Sequence, residues 1–178
     1  MRWFLIDRFV EFHRGKRAAA IKNVALGHES MTDELPGYPM FPNSLIVEGL
    51  AQTGGLLIGE FGGFRERVVL AKIAKAQFHC PALPGDTLTY HARLDDIKGD
   101  GAVCYCQSTI NGRPQADVEL MFAHLDDRNR RELFEPAEFL RLLRMLQLFR
   151  VGVKEDGSPL DIPPHLLEAE RRLFEGPA

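Results

Sequence analysis

The chain has 178 residues, 45% apolar and 26% charged, with 22 Lys and Arg against 25 Asp and Glu. That length suits one domain with its own core, and a net charge of −3 offers no broad basic field for nucleic acid. No apolar run approaches the roughly 20 residues that cross a bilayer.

The N-terminus is interrupted by charge at Asp7 and Arg8 and has no small-residue cleavage site. It is not expected to be a signal peptide. Trp3 to Phe12 is rich in aromatic and β-branched residues and reads as a strand. His13-Arg14-Gly15-Lys16 is a turn, and Ala18 to Leu26 returns as a second strand, so the pair is a hairpin. Gly27 to Pro42 is broken by proline and glycine and predicts no regular element. A helix follows from Asn43 to Glu60, with Asn43 as its N-cap.

Four further strands are predicted over Arg67–His79, Thr87–Leu94, Ala102–Ile110 and Gln115–His124. Turn signals bound them: Pro84-Gly85-Asp86, Lys98-Gly99-Asp100-Gly101 and Asn111-Gly112. The last supplies the positive φ angles a tight hairpin needs. Two strands, one long apolar helix and four antiparallel strands pack most economically as an α+β fold, a curved sheet wrapped around the helix. Lys72 and Lys75, three apart on one strand, are expected on opposite faces. Cys104 and Cys106 are expected on one face, and with Cys80 they read as reduced core thiols of a cytoplasmic protein, because the spacing fits neither a metal nor a redox motif. No histidine pair has zinc-ligand spacing, so no metal and no cofactor are expected.

Beyond Asp126, Phe139, Leu140, Leu142, Leu143, Leu146 and Phe149 recur at helical spacing among arginines. This predicts one amphipathic helix over Pro136–Arg150, then a Gly/Pro-rich connection and a short helix over His165–Phe174. The expected division is residues 1–126 as the main domain and 127–178 as a C-terminal helical extension. That extension is expected to pack on its own subunit.

Within the long helix, Leu45, Ile46, Val47, Leu50, Leu56, Leu57 and Ile58 leave no wide polar face, which predicts burial all round. Glu48 then stands out, since an unpaired buried carboxylate costs several kcal/mol or takes up a proton. Gln52 shares its face one turn on, and Gly49, Ala51 and Gly55 outline a polar notch with room for a thin ligand. Asn43, Ser44 and Leu45 supply backbone N–H groups that face no helical carbonyl and can hold a carbonyl becoming negative during reaction.

The stretch Leu-Pro-Gly-Tyr-Pro-Met-Phe-Pro-Asn-Ser-Leu-Ile-Val-Glu-Gly-Leu-Ala-Gln, from Leu35 to Gln52, resembles the signature of the (3R)-hydroxyacyl-[acyl-carrier-protein] dehydratases, which are hotdog-fold proteins. Phe4–Arg8, Gly15–Arg17, Ala20–Val24, the Pro84-Gly85-Asp86 turn and Ala116–Met121 have counterparts in the same order, so the likeness covers about residues 3–125. It implies dehydration of 3-hydroxyacyl thioesters to 2-enoyl thioesters in fatty-acid or related lipid synthesis. Glu48 would be the helix carboxylate meeting the β-hydroxyl or departing water, and the Asn43 N–H would polarise the thioester carbonyl. Ser44, Gln52 and Gly37 complete the expected substrate-binding set. The resemblance also implies an acyl carrier protein or coenzyme A thioester as partner, and a homodimer or higher oligomer with sites shared between subunits.

The chain departs from that signature where the family carries its catalytic His: here stands Glu34, before Leu35-Pro36-Gly37. A free Glu is about 2 pKa units less basic than His, but two close carboxylates can share a proton and divide the acid and base roles. Three readings therefore stand: a dehydratase using Glu34 and Glu48, a catalytically degenerate acyl-thioester binding subunit, and a thioesterase. His28, six residues before Glu34, is the remaining histidine near the motif and reads as a loop residue.

Overall fold

The computed structural model describes residues 4–27, 38–98, 101–125 and 135–175. Strands β1 (Arg8–His13) and β2 (Arg17–Asn23) form the first hairpin, turning at Gly15 with φ +64°. The strand predicted from Trp3 starts later, at Arg8, because Leu5 and Ile6 point into the core; Asp7 reaches β2 through its N–H, to Ile21 O at 2.7 Å, and through its carboxylate, which accepts from Lys22 and Asn23. Helix α1 runs over Asn43–Phe61. Then come β3 (Arg67–Phe78), β4 (Thr87–Lys98), β5 (Gly101–Ile110) and β6 (Arg113–Leu125). The Asn111-Gly112 turn has φ of 51° and 76°, as a two-residue hairpin requires.

With β7 (Gly152–Val153) the strands form one sheet in the order β3-β6-β5-β4-β2-β1-β7. All neighbours are antiparallel except β1 and β7. The sheet wraps α1: Leu88, Tyr90, Ala92, Cys104, Cys106, Val118, Leu120 and Phe122 pack with Ile46, Leu50, Leu57 and Ile58 in one core. This is the hotdog arrangement the sequence implies. Cys104 and Cys106 share the core face, Sγ to Sγ 3.6 Å, whereas Cys80 is exposed rather than a core thiol.

Strand β3 is an edge, exposed from Leu70 to Gln77. Its register against β6 shifts between Leu70 and Lys72 and again between Ile73 and Lys75. Those bulges break simple alternation, and Lys72 and Lys75 are both exposed.

The sequence after residue 134 closes the other edge. The helix predicted over Pro136–Arg150 is two: α2 (Pro136–Met145) and the single turn α3 (Leu148–Val151). The break falls at Gln147, whose φ is 59°. There the Leu146 carbonyl turns out of the helix to accept the Phe9 N–H, at 2.8 Å, so the demand of β1 overrides the hydrophobic period. Strand β7 then pairs with Phe12 and His13. Leu140, Leu143, Leu146 and Leu148 join the core beside Leu5, Phe9 and Phe12. Helix α4 (Pro164–Glu175) packs on α2, with an ion pair between Arg144 and Glu170.

Candidate active site

Helix α1 begins where the chain is anchored to the sheet. Phe41 is fully buried, and its N–H donates to Ala82 O at 2.8 Å. Pro42, with φ −57° and ψ 134°, is the N-cap, not Asn43, and no side chain caps the helix. Asn43 is thus the first helical residue, and its own backbone N–H is one of those without a helical acceptor. The Leu45 N–H is not: it turns back on Pro42 O at 3.0 Å. Of the three amides expected to face a ligand, Asn43 and Ser44 retain that capacity.

The helix is not buried all round. Glu48 is exposed and Gln52 half-buried, on the same side as exposed Ser44 and half-buried Gly55. The Gln52 Oε1 accepts the Leu5 N–H at 2.9 Å, and its Nε2 donates to Glu48 Oε1 at 3.0 Å. The Leu5 N–H can only donate, so it fixes which end of the amide faces Glu48. Glu48, exposed, is therefore held as an acceptor through one of its oxygens. The sequence shows the i,i+4 pair but not this third member, because Leu5 lies 47 residues away.

The small residues divide their roles differently from the expected notch. A Cβ at Gly49 would fall 2.4 Å from the Tyr90 ring: the space is already filled by the fully buried Tyr90. Ala51 is also buried. Only Gly55 leaves room on the Glu48 side, with the Phe122 ring at 3.5 Å as a wall. The hydroxyl of Thr53 donates to Gly49 O at 2.8 Å and ties the Glu48 turn to the next.

The buried carboxylate of α1 is at its other end. Glu60 is 5% exposed, and desolvation raises its pKa, with Arg14 opposing. The Arg14 Nε lies 3.6 Å from Glu60 Oε2, and Arg14 also donates to Phe61 O at 3.2 Å. The sequence gives no signal for this burial, which arises when the β1–β2 turn folds over the helix end.

Glu34, Gly37 and His28 lie outside the described residues. His79, just after β3, pairs with Asp117 of β6, and His124 of β6 with Glu66, each at 2.7 Å. Among the described residues no group of three His, Cys, Asp or Glu side chains could hold a metal, and no helix is long and apolar enough to cross a membrane.

The FabA-like domain model matches residues 2–116. The 3-hydroxyacyl-[acyl-carrier-protein] dehydratase FabZ of Desulforamulus reducens is 34% identical over 122 residues, covering 68% of this chain and 86% of that protein. The FabZ of Helicobacter pylori strain Shi470 is 37% identical over 125 residues, covering 65% and 77%. Among solved structures, a Streptococcus mutans UA159 protein bound to acetyl CoA superposes with a TM-score of 0.57 at 17% identity, over 70% of this chain and 93% of that one. A hypothetical thioesterase of Streptococcus pneumoniae TIGR4 with coenzyme A gives 0.56 at 14%, over 66% and 84%. At those identities the two structures share the fold. The family model ends at residue 116, so α2, α3, β7 and α4 lie beyond it.

Proposed function

Since the chain belongs to the FabA-like family of hotdog dehydratases, we propose that it is a hydro-lyase that converts 3-hydroxyacyl thioesters to trans-2-enoyl thioesters in fatty-acid or related lipid synthesis. The supporting observation is the Leu5–Gln52–Glu48 chain of hydrogen bonds. It holds an accessible carboxylate one turn from the open amides of α1, at the position where the resemblance implies the family's helix carboxylate. In the reaction a base removes the C2 proton, the C3–O bond breaks, and the leaving oxygen takes a proton to depart as water. Charge builds on the thioester oxygen, and the Asn43 and Ser44 N–H groups suit it. Glu48 serves the C3 hydroxyl, and Glu34, at the family's His position, is the second proton carrier. Gly37 belongs to the same loop.

The acyl group comes on an acyl carrier protein or coenzyme A, and the working unit is a homodimer or larger. Edge strand β3 supports the latter: Leu70 and Ile73 are 38% and 47% exposed, on an edge that a second copy can extend, while β7 covers β1 at the far side. Three free thiols suit a cytoplasmic setting.

The test follows interconversion of a 3-hydroxyacyl thioester and its 2-enoyl partner. Wild-type turnover, lost in Glu48→Gln and in Glu34→Gln, is the expected result. An inert wild type that Glu34→His activates instead supports the degenerate binding subunit, and release of free thiol alone supports a thioesterase.

A further inference from the structure

Residues 4–7 precede the sheet without joining it, yet the Leu5 N–H among them decides how Gln52 and Glu48 face each other. Whatever fixes that N–H is therefore part of the site. From Arg8 onward the backbone is held on both sides: Arg8 and Phe9 pair with Ile21 and Ala20 of β2, and the Phe9 N–H reaches Leu146 O at 2.8 Å. Ahead of Arg8, the Leu5 and Ile6 side chains are 1% and 2% exposed. Such burial fixes their depth, but it is non-directional and sets no angle for a backbone N–H.

Direction comes from Asp7, two positions after Leu5. Its Oδ1 accepts from Lys22 Nζ at 2.9 Å. Its Oδ2 accepts from the Asn23 backbone N–H at 2.8 Å and from Asn23 Nδ2 at 3.1 Å. The Asp7 N–H donates to Ile21 O at 2.7 Å. The Asn23 amide is fixed in turn, because its Oδ1 accepts from the Thr87 hydroxyl of β4 at 2.9 Å. The Lys22 and Asp7 side chains are only 14% and 33% exposed, and hydrogen bonds between charged partners are the stronger kind. The cluster also lies near the Glu48 turn of α1. Burial, and after it the Asp7 charge, raises the phenol pKa of Tyr90, whose ring fills the space at Gly49.

Resting on the dehydratase reading above, we propose that Asp7 is a positioning residue of the active site. Its grip on Lys22 and Asn23 sets the Leu5 N–H, that N–H sets the Gln52 amide, and the amide holds Glu48. Asp7 acts through these groups and needs no contact with the substrate.

A double-mutant cycle on enoyl-thioester hydration tests the chain of contacts. Asp7→Ala lowers kcat by roughly three- to tenfold at nearly constant KM. Asp7→Asn keeps an acceptor for the Asn23 N–H and recovers part of that loss. In a Gln52→Leu background, where the bridge is already gone, Asp7→Ala lowers kcat by less than about twofold. A residue that only stabilised the fold would show no such dependence on Gln52. Hydrogen exchange at the Leu5 amide, followed by NMR, needs no turnover: in Asp7→Ala it quickens by roughly tenfold more than exchange at the amides of β5. Losses in kcat that multiply independently, or a Leu5 amide as protected in Asp7→Ala as in the wild type, overturn the proposal. A wild type without turnover sinks the dehydratase reading instead, and the exchange measurement still decides whether Asp7 fixes the Leu5 N–H.

Discussion

Replacing Gln52 by Leu keeps the volume at that position and removes both ends of the amide bridge. The Leu5 N–H, beside a fully buried side chain, loses its acceptor, a loss worth about 1–3 kcal/mol when a buried donor is left unpaired. Glu48 loses a donor at 3.0 Å. A hydrogen bond to a charged group contributes about 1.5–3 kcal/mol, and the exposure of Glu48 lets water replace part of that. The low end, roughly tenfold in kcat, is the expected loss.

Gln52→Glu isolates the aim of the carboxylate from the anchoring of the N-terminal segment. Its carboxylate still accepts the Leu5 N–H but stands against Glu48 as a like charge or shares a proton with it, so the melting temperature recovers only in part while kcat does not. Steady-state kinetics on an enoyl thioester, with thermal melts of both variants, read the two effects apart. A positioning residue lowers kcat at nearly constant KM, whereas direct substrate binding raises KM at constant kcat. If Gln52→Leu melts lower yet keeps kcat within about twofold of the wild type, the bridge is only a fold contact and the reasoning fails.

Gly49→Ala drives a methyl to 2.4 Å from the Tyr90 ring and is expected to cost about 1–3 kcal/mol by overpacking. Gly27→Ala, with nothing within 4 Å, serves as its neutral control in denaturant titration. Burial raises the folded pKa of Glu60, so the folded state binds that proton more tightly than the unfolded chain does. The penalty is absent below the unfolded value and grows as pH rises through the folded one. Glu60→Gln should therefore melt higher than wild type at neutral pH, with the gap closing as the pH falls toward 4.5. An unchanged gap would show that the Arg14 pair already offsets the burial. Gln147→Gly, at φ 59°, should stabilise the α2–α3 junction by up to about 1 kcal/mol, seen as a higher midpoint in urea.

The turns and the central helix were legible because their signals are local. Asn111-Gly112 and the span from Asn43 to the glycines after Phe61 each need only neighbours in sequence. What escaped is what distant chain imposes. Asn43 reads as a cap by residue type, yet Pro42 takes that place because Phe41 is pinned to Ala82. The apolar period runs unbroken through Leu146, and only the Phe9 N–H reveals why the helix stops there. At the site, Glu48 and Gln52 are visible as an i,i+4 pair, whereas the Leu5 N–H that orients them is not. Gly49 looks like open space in sequence because its occupant, Tyr90, comes from a strand 41 positions on.

Helix α1 carries two carboxylates outside its terminal residues' reach of each other, and their surroundings assign them opposite work. Glu60 sits at the C-terminal end, where the helix's partial negative charge disfavours an anion, in a position 5% exposed and 3.6 Å from Arg14. It has no route to a substrate, and Arg14 binds it into the clamp between the first hairpin and the helix end. Glu48 lies near the N-terminal end, accessible, beside amides that face no helical carbonyl and in the grip of Gln52. Proton transfer requires a carboxyl group that is reachable and held in one direction. Burial alone would have selected Glu60 as the unusual group of this helix. Access and aim favour Glu48 for the proton-carrying role proposed above.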